Sequence, residues 1–343
     1  MSRQPRFAIL ATAAFAAVAL AGASIAAEPA TLKMGSISPA MASQVVNVYE
    51  PWVKRMEADA GGTLDIQVFH GGSLVRALDK QYEALHNRMQ DIATVVTSYT
   101  EKLFPDFGLF SLPLMFRGAG ADEGSYVAWK LYEKGMIRGL DQVHVVAVFT
   151  NDNSGLHFNA PIRKIEDIKG MKIRTTGPGE AEVIEIMGGA PVAVSISQVA
   201  ESLHRGVING TLTGWSALNS FRITPLIKSS IDMPFGVRSL FLAFNKEAYT
   251  ALPETARKAV DRNAGLALAR KFGDHWAEEG RTMREDLAKK HDVIRPSEDE
   301  LRTVWRLKLR HIQQAWIDED KAHRQKLYDE AQKLIAEFRQ LGG

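Results

Sequence analysis

The feature that most constrains the fold is a strand-and-helix pattern laid down twice. "TLDIQVF" (63–69) alternates Leu64, Ile66 and Val68 with polar residues, the period of a half-buried strand. "TLKMGSI" (31–37), "DIATVVT" (91–97) and "QVHVVAVF" (142–149) are further extended runs. Between the first two, Val45, Val48, Tyr49, Trp52, Val53 and Met56 share one helical face, which Gly61 and Gly62 end. Helical stretches around 76–88 and 124–138 separate the others. Strand and helix in alternation build α/β layers around a largely parallel sheet. After Phe149 the pattern restarts. "GLHFNA", "MKIRT", "APVAV" and "GVINGTLT" read as strands, "GEAEVIEIMG" as a helix, and "SLFLAF" (239–244) as one more strand. Ser195 and Gln198 have the spacing of a capping box before a helix lined by Ile196, Val199, Ala200 and Leu203.

A chain of 343 residues exceeds one average domain, so the repeat reads as two lobes. Pro253 starts a helix that runs without a Gly–Pro breaker to about Lys290, weakened at Gly265, Gly273 and Gly280. Ser297 and Glu300 cap another, and the rest is helical to Phe338. The fold class expected is α/β: two lobes joined by crossing strands, with a hinge and a long helix spanning both lobes. Lobe one takes 28–150 with a return segment at 240–280. Lobe two takes 151–239 with the C-terminal helices, 281–340. Ligands of such sheets sit in the crevice between the lobes.

The N-terminus bears on location. "MSRQPR" carries Arg3 and Arg6, an Ala-rich apolar run follows, and Ser24, Ala26 and Ala27 supply small residues. That is the layout of a cleaved secretory signal, expected over 1–27, and places the mature chain in the periplasm. Without Arg3 and Arg6 the 42 Lys and Arg fall to 40, against 40 Asp and Glu. A neutral mature chain argues against nucleic acid as a partner. With no cysteine, thiol chemistry and Cys-ligated metals are excluded. No G-x-S-x-G elbow, H-E-x-x-H pair or P-loop appears, and the nine His fall in no metal-ligand spacing. Neither a catalytic residue, a cofactor nor a metal is expected.

One stretch resists a purely structural reading. "GMKIRTTGP" (170–178) is a short strand after a Gly turn, yet Arg174 sits inside it with no carboxylate beside it. A buried guanidinium without a partner is costly. Its planar fork fits a carboxylate with two prongs, which Lys does not.

Several segments carry a family resemblance. "VFHGGSLV" and "FSLPLMF" are similar to the Gly-rich turn and the Leu-Pro segment of solute-binding proteins from tripartite ATP-independent periplasmic (TRAP) transporters. "IRKIEDIKGMKIRTTGPGEAEVIEIMGGAPVAVSISQVAESLHRGVINGT" resembles their run of an "edlkGlkiR" strand, a helix, "lGa.pv" and a helix ending in "l..GvvdG". "AFNKEAYTALPETARKAVD" is similar to the start of their long helix. The resemblance spans about 31–320. It implies the two-lobed periplasmic binding protein fold, with a hinge and a long helix spanning both lobes, and capture of a small organic acid for a sodium-driven membrane permease, with Arg174 holding the ligand carboxylate. Members that bind dicarboxylates or sialic acid often carry a further Arg on the strand after the lobe crossing. Here that stretch has Leu156 and His157. Where many members offer an Asn, "NGTLTGW" places Thr213, with Trp215 two residues on, a form that resembles the branch taking monocarboxylates, aromatic ones included. Trp215 would supply a flat apolar wall. Tyr99 closes a strand that ends at the crevice, and Asn153, like Asn151, lies at the lobe crossing. The ligand-binding set expected is therefore Arg174, Trp215, Thr213, Asn153, His157 and Tyr99. The alternatives are a C4-dicarboxylate binder, a binding protein of another transporter class, or an exported enzyme.

Overall fold

The computed structural model describes residues 28–342. The signal segment expected over 1–27 lies outside them. The chain first lays down strands β1 (Ala30–Gly35), β2 (Leu64–Phe69), β3 (Ile92–Val96) and β4 (Val143–Thr150). It crosses once and adds β5 (Ser154–Phe158), β6 (Lys172–Thr175), β7 (Ala190–Ala193), β8 (Gly210–Gly214) and β9 (Ser229–Ile231). Strands β10 (Ser239–Asn245) and β11 (Asp292–Ile294) follow. The helices are α1 (Glu50–Asp59), α2 (Gln81–His86), α3 (Ala121–Glu133), α4 (Pro178–Ile186), α5 (Val199–His204), α6 (Trp215–Ser220), α7 (Lys246–Thr250), α8 (Glu254–Arg262), α9 (Leu266–Ala288), α10 (Glu298–Glu300), α11 (Arg306–Asp318) and α12 (Lys321–Gln340).

Two sheets result, ordered β2-β1-β3-β10-β4 and β11-β9-β5-β8-β6-β7. Each is mixed rather than largely parallel. In the first, β10 runs antiparallel to both β3 and β4. In the second, β5 runs antiparallel to β8 and β9, while β6 is parallel to β7 and β8. The cause is the two crossings: β5 enters the second sheet straight from β4, and the return crossing does the same for the first. β10 comes back from the second lobe and enters the first sheet between two strands already laid down. Its run "SLFLAFN" is buried throughout, as expected of an interior strand. β2 keeps its alternation, with Leu64 and Ile66 in the core and Gln67 exposed.

The helix expected over 76–88 is shorter, a 3₁₀ turn at Leu78–Lys80 and then α2. The helix expected from Pro253 to Lys290 breaks at Asn263–Gly265, where Gly265 has φ +101°. The 23-residue α9 then runs alone, packing on α3 and β4 of the first lobe and on α6 and β11 of the second. It is the strap across both lobes. The box expected at Ser195 does not form; the Ser195 hydroxyl lies 3.1 Å from that of Ser197, and a 3₁₀ turn leads into α5. The box at Ser297 does form, Glu300 N–H donating to Ser297 Oγ at 3.2 Å and Ser297 N–H to Glu300 Oε2 at 2.8 Å.

The C-terminal helices divide between the lobes. α11 lies against α4, with His311 3.0 Å from Glu182. α12 turns back onto α3 of the first lobe, where Tyr126 Oη donates to Glu337 at 2.6 Å and Arg339 pairs with Glu123 at 2.6 Å. The assignment of all of 281–340 to lobe two therefore fails for α12. Residues 281–288 finish α9.

Two crossing segments, 151–153 and 232–238, are stitched side by side. Asn151 N–H donates to Arg238 O at 3.0 Å, Arg238 N–H to Asn151 Oδ1 at 2.8 Å, and Ser154 N–H to Gly236 O at 2.9 Å. Gly236 has φ +98°, and a Cβ there would lie 2.6 Å from Ser111 O, so the approach admits only glycine. Between the crossings and α9, the buried Asp152 carboxylate accepts from Ser216 Oγ at 2.5 Å and Ser216 N–H at 3.1 Å. Among the described residues no helix is long and apolar enough to cross a membrane.

Candidate functional site: a buried cleft with two arginines

A cavity of about 110 Å³ opens where the lobes meet. At roughly 10–15 Å³ per water, it suits a ligand of on the order of ten non-hydrogen atoms. Arg174 forms its polar wall. β6 lies between β7 and β8, pairing Arg174 with Val192 on one side and Thr211 on the other. The side chain is 1% exposed, and among the described residues none of its partners is a carboxylate. Nε donates to Val194 O at 2.8 Å, Nη1 to Leu212 O at 3.2 Å and Nη2 to the Tyr99 hydroxyl at 2.9 Å. A guanidinium carries five N–H donors. Three are used, which leaves one on each terminal nitrogen, the pair a bidentate carboxylate takes. Burial pulls the guanidinium below the ordinary arginine range, Tyr99 opposes that, and Arg238 adds to it. Tyr99 follows β3 of the first lobe, so its bond to Arg174 bridges the two lobes.

A second arginine, which the sequence reasoning missed, lines the same cavity. Arg238 ends the return crossing and is 5% exposed. Its Nη2 donates to Glu180 Oε1 at 2.7 Å and to Leu212 O at 2.9 Å, and its Nη1 to Ser154 Oγ at 3.1 Å. Both guanidiniums thus share one backbone carbonyl, Leu212 O. Glu180, in the first turn of α4, also accepts Thr176 N–H at 2.7 Å.

The remaining lining is apolar and aromatic with a few neutral polar groups. Tyr49, Trp276 and Phe221 supply ring surface. Tyr49 ends a π-helical turn (Val45–Tyr49) ahead of α1 and lies 2.7 Å, oxygen to oxygen, from Thr94. Such turns recur at functional sites. Trp276 projects from α9 and stacks behind the cavity on Phe149 and Phe272, at 5.6 and 5.7 Å between ring centres. Gln44, Ser36 and Ser38 lie on the first-lobe side, with Gln44 Nε2 donating to Ser38 Oγ at 2.8 Å.

Of the six residues expected, Arg174, Thr213 and Tyr99 line the cavity. The other three lie behind its wall. Trp215 is fully buried at the start of α6, its ring edge-on to His157 at 4.6 Å and under the Arg284 guanidinium at 5.4 Å. The aromatic wall assigned to it belongs to Trp276. His157 is fully buried between β8 and β9. Its Nε2 lies 3.2 Å from Thr213 O, which can only accept, so Nε2 carries the proton and Nδ1 accepts from Ser230 Oγ at 3.0 Å. Burial lowers its pKa to about 3, so it stays neutral and supplies no second cation. Asn153 turns away, its Nδ2 donating to Phe116 O and Gly118 O at 3.1 Å each. Its neighbour Asn151 lines the cavity instead.

Two mixed α/β lobes, a double crossing and a ligand-sized cavity between them define a two-lobed solute-binding protein. The chain belongs to the DctP family, bacterial extracellular solute-binding protein family 7, whose model matches residues 34–320. Its structure is similar to that of a TRAP solute-binding protein from Rhodoferax ferrireducens in complex with copurified benzoate, with a TM-score of 0.83 and 22% identity, covering 91% of this chain and 99% of that one. It is also similar to a marine metagenome TRAP solute-binding protein specific for aromatic acid ligands, with 3-hydroxybenzoate, at a TM-score of 0.83 and 24% identity over 90% of this chain and 98% of the other. Among curated relatives it is 24% identical over 216 residues to the C4-dicarboxylate-binding periplasmic protein DctP of Rhodobacter capsulatus, covering 60% of this chain and 62% of that protein. It is 28% identical over 179 residues to the uncharacterized protein YiiZ of Salmonella typhimurium, covering 49% and 52%. These matches span about half to three-fifths of those two relatives.

Proposed function

We propose that the protein captures a small organic acid with one carboxylate, aromatic acids included, outside the cytoplasm and delivers it unchanged to a sodium-driven TRAP permease. One observation carries this reading. Arg174 is buried without any carboxylate partner and keeps a free N–H on each terminal nitrogen beside a ligand-sized cavity. A ligand carboxylate is the counter-charge that site lacks. Tyr99, Thr213 and Asn151 then offer neutral polar contacts, while Tyr49, Phe221 and Trp276 face the ligand body. The benzoate and 3-hydroxybenzoate in structural neighbours agree with a ring in that space. The permease and the periplasmic address follow the family, and the basic, apolar and small-residue order of 1–27 fits export by a cleaved signal.

A C4-dicarboxylate is the second reading. Arg238 in the cavity favours it, as does the name of the Rhodobacter relative. Calorimetric titration of the mature protein with benzoate, 3-hydroxybenzoate, mandelate, succinate and malate decides between them. Tighter binding of at least one monoacid than of either diacid is expected. Tighter succinate or malate than every monoacid replaces the first reading with the second. No heat from any of the five removes the carboxylate reading.

A further inference from the structure

We propose that Glu180 sets the number of charges the site accepts: by holding Arg238 in a closed ion pair, it leaves Arg174 as the single free cation lining the cavity among the described residues. The inference rests on the reading that a ligand carboxylate meets Arg174, and it adds how the diacids are refused. Among the described residues, the only charged side chains lining the cavity are Arg174 and Arg238. Counting them alone, the site matches a dianion. Glu180 stands immediately behind, 8% exposed and 2.7 Å from Arg238 Nη2, and changes the count. Two cations and one carboxylate leave one net positive charge in a volume shielded from water. One ligand carboxylate neutralises it. A second brings an uncompensated anion into the same buried space, which is costly.

Glu180 is fixed in that role from both ends. Its Oε1 takes Arg238 and its Oε2 takes the Thr176 N–H, so the carboxylate cannot turn away without stranding a buried donor. The other carboxylates nearby do not substitute for it. Asp152 is engaged with Ser216, and Glu101, beside Gly177 and pushed up to about 7 by burial and then by Glu180, touches neither guanidinium. Arg238 in turn is held by Ser154 Oγ and shares Leu212 O with Arg174, so the two cations cannot separate to share the load of one ligand.

The test compares matched acids that differ by one carboxylate: benzoate with benzene-1,3-dicarboxylate, and butyrate with succinate. Titrations use wild type, Glu180→Gln and the double variant Glu180→Gln/Arg238→Gln. In Glu180→Gln the ratio of diacid to monoacid affinity should rise at least about tenfold in one or both pairs, and the double variant should lose that gain. A ratio unchanged within about threefold, with the monoacids still bound, overturns the role of Glu180 and leaves the Arg174 reading standing. A site that binds none of the four acids even as wild type removes both. Arg238→Gln reads the same balance from the other side and needs no Glu180 variant to fold. It leaves Glu180 as an unpaired anion behind the cavity, so benzoate should weaken at least about tenfold. Unchanged benzoate affinity there also overturns the proposal.

Discussion

Replacing Arg174 by Met keeps most of the side-chain length and deletes the charge. In the arrangement seen here the guanidinium is 1% exposed and has no anion partner among the described residues, so this form without ligand carries its desolvation cost uncompensated. Met abolishes that cost but leaves Val194 O without its donor; Leu212 O keeps Arg238. These terms oppose each other, at about 1–3 kcal/mol for a stranded carbonyl. The unliganded variant should therefore melt near the wild type. Binding has no such offset. Two charge-assisted hydrogen bonds to a desolvated carboxylate are worth about 2–5 kcal/mol on truncation, which is roughly 30- to 5000-fold in Kd. Benzoate or another cognate monoacid, titrated calorimetrically, should weaken by at least the lower figure. The thermal shift at a hundredfold excess, about 2.7 kcal/mol for an intact site, should vanish with it. Affinity retained within threefold, with the fold intact by circular dichroism, refutes the carboxylate role. A variant that unfolds while its wild-type parent does not would show that Arg174 serves the core.

Other outcomes follow from the same geometry. His157 has a folded pKa of about 3, below its ordinary 6.5, so its contribution to stability is complete above about pH 6.5 and is lost as the pH falls towards 3. At pH 5 the loss is about 2 kcal/mol, and His157→Gln should show a flatter pH profile of melting temperature; identical profiles refute it. Glu101 is shifted the other way, to about 7, by burial and then by Glu180 and Glu319, so it costs stability at alkaline pH and costs less as the pH falls. Glu101→Gln should stabilise by about 1–2 kcal/mol at pH 8, allowing for its partial exposure, and an unchanged melting point at pH 8 counts against that. Trp276→Leu should weaken benzoate about 5- to 30-fold through lost stacking and burial while leaving butyrate within threefold; equal losses would take the ring away from Trp276. Saturating benzoate should reduce the radius of gyration in small-angle scattering, and an unchanged radius with binding confirmed rules out lobe closure.

What the sequence shows of the site depends on how each residue reaches it. Arg174 is legible as a cavity residue because a lone charge inside an apolar strand is an anomaly that a purely structural strand does not call for. Arg238 is as buried, yet it stands just before "SLFLAF", where a charge reads as a solvated strand end. Its burial arises because 232–238 threads beside 151–153, a pairing far apart in sequence. Trp276 has the spacing of an ordinary core residue, since it packs on Phe149 and Phe272 with one side and lines the cavity with the other. For His157 the difficulty is the strand itself, whereas Trp215 opens α6, beyond any strand. β5 is buried on both faces, so alternation does not say which face meets the cleft. The two-lobe division was legible throughout, because each lobe repeats its own strand-and-helix rhythm. The destination of α12 was not, since an amphipathic helix records that it packs and not on what.

The crossings explain why an uncompensated cation suits this fold. Arg174 belongs to the second lobe and Tyr99 to the first, and their 2.9 Å bond spans the cleft. Shutting it without ligand buries a guanidinium with a neutral hydroxyl as its best partner. On the proposed reading the ligand carboxylate removes that penalty, and it does so in the closed form more than in the open one, where water already solvates the arginine. The differential is what shifts the population. Moving a two-state equilibrium from 1:99 to 99:1 takes about 5.5 kcal/mol of differential affinity. A desolvated two-pronged pair of about 2–5 kcal/mol supplies much of that, and ring burial against Trp276 and Phe221 adds to it at roughly 25 cal/mol per Å². An acidic residue placed beside Arg174 would stabilise the closed apo form and cancel the ligand's advantage. On the two proposed readings, the absence of a carboxylate partner at Arg174 among the described residues and the presence of one at Arg238 are two halves of one arrangement: the first would let the ligand drive closure, and the second would limit what that ligand's charge can be.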